Sequence, residues 1–283
     1  MDAKTILLEA LNARWKKFRA ELKTCRNEFS EEAVHDLRVA TRRLLALFDL
    51  LRALLPRKRV RKIRRVLKDQ LDELDDLRDT QVLLADVSEF MQEVSELKIF
   101  QEQLQKNEKV HLRRTRKSIR PRKDGDLSDR VEKIRGMIES LPDESLREQT
   151  LSAADDRFAR VLQAYTAMDT ENIPSIHKLR VAFKKFRYTV EIVHPLLETF
   201  PAENFERMHN YQSMMGDIQD LEVASEYLTE LKDVAPQPDL EPVSAHYASR
   251  LRTAVLSFIE DKGEVLTFWR NTPDGSFPWE KPL

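Results

Sequence analysis

The chain has 283 residues, 41% of them hydrophobic and 34% charged, enough apolar material for a core in one large domain or two packed halves, which excludes a disordered protein. Only five glycines occur, and the abundance of Leu, Ala, Glu, Lys and Arg suits long helices and leaves little for sheet. A net charge of -1 gives no whole-molecule field for nucleic acid or membrane; the single cysteine, Cys25, excludes an internal disulfide and a cysteine-rich metal site; and the longest apolar run, Leu44 to Phe48, is too short to cross a bilayer.

The opening residues lack the basic and then apolar pattern of a secretory signal, so a cytoplasmic protein is expected. Ile6, Leu7, Ala10, Leu11, Trp15, Phe18 and Leu22 recur at helical spacing and predict a core helix. Ser30 is a suitable N-cap for a second helix, which should run until Pro56. Further helices are predicted over about 57–95, with a break near Asp75, then about 98–120 and 127–140, with Arg120 to Gly125 as a loop. After Leu141-Pro142 the pattern restarts, with helices near 144–168, 174–198, 202–232 and 240–262. Pro195 should end or kink the second of these, 235–238 reads as a connector, and 271–283 as an irregular tail.

The restart is an internal repeat. His35-Asp-Leu-Arg38-Val39-Ala-Thr-Arg42-Arg43 returns 142 positions later as His177-Lys-Leu-Arg180-Val181-Ala-Phe-Lys184-Lys185. Leu77-Arg-Asp79 is echoed by Ile218-Gln-Asp220, with Val82 and Val223 following, and Arg14-Trp15 by Arg157-Phe158. Three matches in the same order imply a duplication, with halves at 1–142 and 143–270.

On a helix, Arg38 and Arg42 fall within about 60° of His35, opposite Leu37, Leu44, Leu47, Phe48 and Leu51. The second copy sets His177, Arg180, Lys184 and Arg187 on one flank, with Tyr188 nearby. Guanidinium forks, ammonium charges and imidazole donors repeated along a surface suit a chain of phosphates. One cationic stripe would more often be a solvated helix face. Two copies at the same spacing argue for a ligand.

Asp75, Asp76, Asp79, Asp217, Asp220 and Glu222 could hold Mg²⁺ for phosphoryl transfer. The commoner role of an Asp such as Asp79 or Asp220 is to pair with a basic side chain of a neighbouring helix, and structural support is the expectation for these two. Neither motif histidine has a ligand partner at i+4, so no metal or other cofactor is expected; His111, His194, His209 and His246 are unrepeated and receive no role. Two basic runs, Arg57 to Lys68 and Lys109 to Lys123, carry eight cations each and no acid. They contain no aromatic for base stacking, which argues against a nucleic-acid module.

The motif His-x-x-Arg-Val-x-x-Arg/Lys-Arg/Lys, present twice with an Asp-containing helix after each copy, resembles the conserved-histidine alpha-helical (CHAD) family. The resemblance covers about residues 5–265, and the second copy, with His177, Arg180, Lys184, Lys185, Arg187, Tyr188 and Glu191, is the closer match. It implies an all-α domain over 1–283, two four-helix bundles related by a pseudo-twofold and facing each other across a basic central channel that holds inorganic polyphosphate. It further implies a non-enzymatic targeting or accessory protein, working with polyphosphate-metabolising enzymes or granules and away from membranes. The first half departs from the pattern: Leu45 occupies the place of Arg187, and Asp75 that of Gly216. The stretches Arg57 to Lys68 and Arg113 to Lys117 are expected to compensate for the missing cation, with Arg61, Arg64, Arg113 and Arg114 among the ligands. The expected polyphosphate ligands are therefore His35, Arg38, Arg42, Arg43, Arg61, Arg64, Arg113, Arg114, His177, Arg180, Lys184, Lys185, Arg187 and Tyr188. The rival readings are a metal-dependent phosphoanhydride enzyme using the Asp79 and Asp220 carboxylates and a nucleic-acid-binding helical module.

Overall fold

The computed structural model describes residues 2–90, 97–119, 124–234 and 240–280. Helix α1 (Ala3–Glu28) starts where Asp2 accepts from the Thr5 amide at 2.8 Å. The predicted apolar stripe from Ile6 to Leu22 is buried. Phe29, with φ 51°, takes a left-handed turn and donates back to the Cys25 carbonyl, ending the helix. Ser30 then caps α2 (Glu31–Leu54) by accepting from the Ala33 amide, and Glu31 and Glu32 complement the positive end of the helix.

Helix α3 (Arg57–Phe90) runs unbroken for 34 residues, so the break expected near Asp75 does not occur. Asp75 and Asp76 carry no helix breaker, and Leu74 and Leu77 on either side are fully buried, which keeps the stripe continuous. Helices α4 (Leu97–Ser118) and α5 (Asp124–Glu139) follow. The backbone of residues 124 and 125 is already helical, which shortens the expected loop at 120–125; its other residues, 120–123, and the connector at 235–238 lie outside the described residues. The second half comprises α6 (Leu146–Thr166), α7 (Ile173–Val193), α8 (Asn204–Val234) and α9 (Glu241–Asp261). Pro195 falls in a 3₁₀ turn, His194–Leu196, that ends α7 five residues earlier than the expected 198. No strand occurs among the described residues, and no described helix is long and apolar enough to cross a membrane.

The packing order is the same in both halves. Neighbours pack in sequence, α1 on α2, α2 on α3 and α3 on α4, then α6 on α7, α7 on α8 and α8 on α9. Helices α6, α7, α8 and α9 start 143, 142, 147 and 144 residues after α1, α2, α3 and α4. Between halves α2 meets α7 and α3 meets α8, and the α1–α7 contact is matched by α2–α6. Helix α5, packed on α1 and α3, is extra to this scheme.

Two apolar cores result. The larger includes Leu37, Leu44, Leu77, Phe158, Phe183, Phe186 and Ile218. The smaller joins Leu83, Val87, Phe100, Leu221, Leu228 and Tyr247, from α3, α4, α8 and α9. Residues after Arg270, expected to be irregular, include a 3₁₀ turn at Pro278–Glu280, and Phe277 stacks on Trp279 with ring centroids 4.7 Å apart. Just before them, Asp155 of α6 accepts from Trp269 Nε1 at 2.8 Å and from Arg270 at 2.9 and 2.7 Å.

Candidate functional site

On α3 the large core ends at Leu77 and the small one begins at Leu83; on α8 the corresponding residues are Ile218 and Leu221. The turns between them carry Arg78 and Asp79 on α3 and Gln219 and Asp220 on α8. These line a cavity of about 330 Å³, with Asp75, Val82 and Val223, together with His35, Arg38 and Arg42 of α2 and His177 and Arg180 of α7. Five of the expected ligands, drawn from both copies of the repeat, thus converge on one space. The two expected supporting carboxylates border it as well.

The two halves hold their first arginine differently. Arg38, 5% exposed, donates to Asp75, whose other neighbour is Arg42 at 4.0 Å. Arg180 has no ion pair among the described residues, its buried Nε lacks a hydrogen-bond partner, and Gly216 lies beside its guanidinium. A carboxylate at that position would sit on Arg180 as Asp75 sits on Arg38. The buried Oε1 of Gln219 also lacks a partner. Unsatisfied buried polar atoms facing a cavity imply a polar ligand or water.

Lys184 is placed among like charges. Burial lowers its pKa to about 6, with Arg42, Arg180 and Arg38 acting in the same direction and Asp220 against them. Burial likewise lowers Arg42 to about 10, aided by Arg38, and lowers His35, helped by Arg78. The carboxylates are displaced the opposite way: burial raises Asp220 to about 6 and raises Asp79, each against the pull of an arginine. Both carboxylates are exposed, and both border the cavity. Arg38 pairs with Asp75, and neither Asp79 nor Asp220 makes an ion pair within 4.0 Å among the described residues.

The remaining expected ligands stand elsewhere. Arg43 and Arg187 share Glu191 at 3.3 and 3.5 Å, and both guanidiniums lie over the ring of the buried Tyr188, at 6.0 and 5.6 Å from its centroid. Arg64 pairs with Asp49, which also faces Arg157 at 3.7 Å; Lys185 is close to that cluster. Arg61 and Arg113 are exposed, and Arg114 pairs with Asp76 at 3.3 Å. Leu45, in place of the absent cation, packs against the core. Arg78 lines the cavity although it is not among the expected ligands; its signal is its place inside the repeated Leu77-Arg-Asp79 triplet. Past Asp220 a smaller cavity of about 150 Å³ leads to Arg250, which Asp86 holds at 2.7 and 2.9 Å. Among the described residues no three His, Cys, Asp or Glu side chains gather as metal ligands.

A family model for the CHAD domain matches residues 9–229. The chain belongs to the CHAD domain family. Two solved structures share its fold. The CHAD domain of the plant Ricinus communis superposes with a TM-score of 0.66 at 18% identity, over 93% of this chain and 89% of that one. PptA from Streptomyces chartreusis superposes with a TM-score of 0.70 at 16% identity, over 93% of this chain and 100% of that one. Comparison with curated proteins gives no match. The cavity of this CHAD domain draws its cations from the two helices that carry the repeated His/Arg motif.

Proposed function

We propose that the protein binds inorganic polyphosphate in the cavity between α2, α3, α7 and α8, and does not cleave it. The observation that carries this reading is the convergence of His35, Arg38, Arg42, His177 and Arg180 on one space. Arg180, with an unsatisfied Nε, and Lys184, whose pKa is lowered by burial first and by its cationic neighbours second, both gain from a polyanion's charge. The matched contacts between halves support a pseudo-twofold that presents equivalent cations to successive phosphates. Burial raises the pKa values of Asp79 and Asp220, which eases their protonation when a polyanion enters, and a protonated carboxyl donates to a phosphate oxygen. Such a protein belongs where the polymer accumulates, in the cytoplasm or on granules, beside the enzymes that make or cut it.

The test is titration with long-chain polyphosphate against single-stranded RNA of equal charge, beside a His35→Ala, His177→Ala, Arg180→Ala variant of unchanged helicity. Preference for polyphosphate that the variant loses supports the reading, and a steep fall in affinity with salt should accompany it. Equal binding of both polymers, an unaffected variant or a flat salt response overturns it. Shortening of the chains during incubation with Mg²⁺ would replace it with the hydrolase reading.

A further inference from the structure

Helix α3 begins with Arg57, Lys58, Arg59, Arg61 and Lys62, and has no acid in its first turn. Anions are favoured at the positive end of a helix, so this placement is electrostatically adverse, and like charges at i and i+4, such as Lys58 and Lys62, add to it. Helix α5 brings Arg130 and Lys133 opposite them. Together Lys58, Arg59, Lys62, Arg130 and Lys133 line a groove of about 390 Å³ whose floor is the buried pair Ile63 and Ile134. One carboxylate faces it, Asp126, and it is engaged by Arg130 at 3.0 and 2.6 Å. Lys58, Arg59, Lys62 and Lys133 are exposed and have no ion pair among the described residues. The fold itself does not call for these cations. The corresponding stretch of the second half, residues 198–203, reads Glu-Thr-Phe-Pro-Ala-Glu, and α5 has no counterpart among the described residues of the second half.

We propose that the groove between α3 and α5 is a second polyphosphate-binding site, which engages the same polymer as the central cavity and makes the protein bivalent. The ligand's identity rests on the reading of that cavity. Within the groove itself the chemistry is five cations over an aliphatic floor with no aromatic ring, which suits a phosphate chain and offers nothing for bases to stack on. Lys62 and Asp79 lie on one continuous helix, roughly 25 Å apart at 1.5 Å per residue. A polymer that reaches both sites binds the second as an intramolecular event, whereas a shorter one occupies either site alone.

Acetylation of the full-length protein, read by mass spectrometry at Lys58, Lys62 and Lys133, tests the groove directly. Long-chain polyphosphate should slow modification of all three lysines, and should still do so in a His177→Ala, Arg180→Ala variant; RNA of equal charge should protect them less. A Lys58→Ser, Arg59→Ser, Lys62→Ser, Lys133→Ser variant should lose about tenfold or more in affinity for long chains. The same variant should keep its affinity for tripolyphosphate within about twofold, since the central site is intact. Its thermal midpoint without ligand should be unchanged or higher, because like-charge repulsion is removed. Unprotected lysines, or a groove variant that binds long chains as the wild type does, overturn the second site and leave the central one standing. Protection by RNA as strong as by polyphosphate would make the groove a nucleic-acid surface instead. Protected lysines in a protein whose His177→Ala, Arg180→Ala variant binds as the wild type does would leave the groove and remove the cavity.

Discussion

Arg38 is neutralised by Asp75, whereas Arg180, at the same position of the repeated motif, faces Gly216 and makes no ion pair among the described residues, Asp220 and Asp217 acting on it only from further away. The two arginines therefore do different work. Arg180→Ala should weaken polyphosphate binding by about tenfold or more, the loss of a charge-assisted contact, while leaving the unfolding transition nearly in place. Arg38→Ala empties a buried position and leaves the part-exposed Asp75 without its main partner, and should lower stability by about 1–2 kcal/mol. Calorimetric titration and urea melts of the two variants would separate these effects, and equal melts would refute the distinction.

Exchanging the residues beside the arginines should exchange their behaviour. Asp75→Gly makes the first half resemble the second and should tighten binding by freeing Arg38 and Arg42. Gly216→Asp puts a carboxylate next to Arg180 and should weaken it. The Cβ introduced at Gly216 meets the guanidinium at 3.9 Å, ordinary contact, so the backbone need not move. Affinities of both variants that move together would show that the internal carboxylate does not compete with the ligand.

Lys184 should be a position where binding and stability oppose each other. Its folded pKa, about 6, lies below the ordinary lysine value of 10.5. The folded state therefore holds fewer protons than the unfolded one between those limits, and the penalty is full below pH 6 and fades as pH rises toward 10.5. Lys184→Met should raise stability by on the order of 1–4 kcal/mol at neutral pH and below. The gain should vanish in alkaline melts, and polyphosphate affinity should drop.

Binding should take up protons. A polyanion raises the pKa of Lys184 and of His35, both depressed in the free protein, and raises further those of Asp79 and Asp220, so every shift has the same sign. Affinity should rise as pH falls from 8 toward about 6. Calorimetry in buffers of different ionisation enthalpy would report the uptake; a net release would mean that these groups do not meet the chain.

Much of the architecture is legible in the sequence because helices reveal themselves by period. The stripe from Ile6 to Leu22, the Ser30 cap and the stop before Pro56 all depend on residues near in sequence. The break expected near Asp75 fails because adjacent acidic residues resemble an interruption, whereas Leu74 and Leu77 carry the buried stripe past them. At the site, the repeated His35/Arg38/Arg42 and His177/Arg180 faces can be found because duplication preserves spacing. The fates of Arg43, Arg64 and Arg187 cannot. Each is captured by Glu191 or Asp49, residues whose nearness depends on how helices cross. The groove of α3 and α5 is visible only in part, as a basic run without its opposing wall.

The uninterrupted course of α3 has a mechanical meaning. A stiff rod with cations at one end and the central cavity toward the other behaves as a calliper, set to one opening. Polymers shorter than that opening should bind with an affinity that changes little with length, and those that just span it should show an abrupt rise. A flexible joint at Asp75 would have blurred that threshold into a slope.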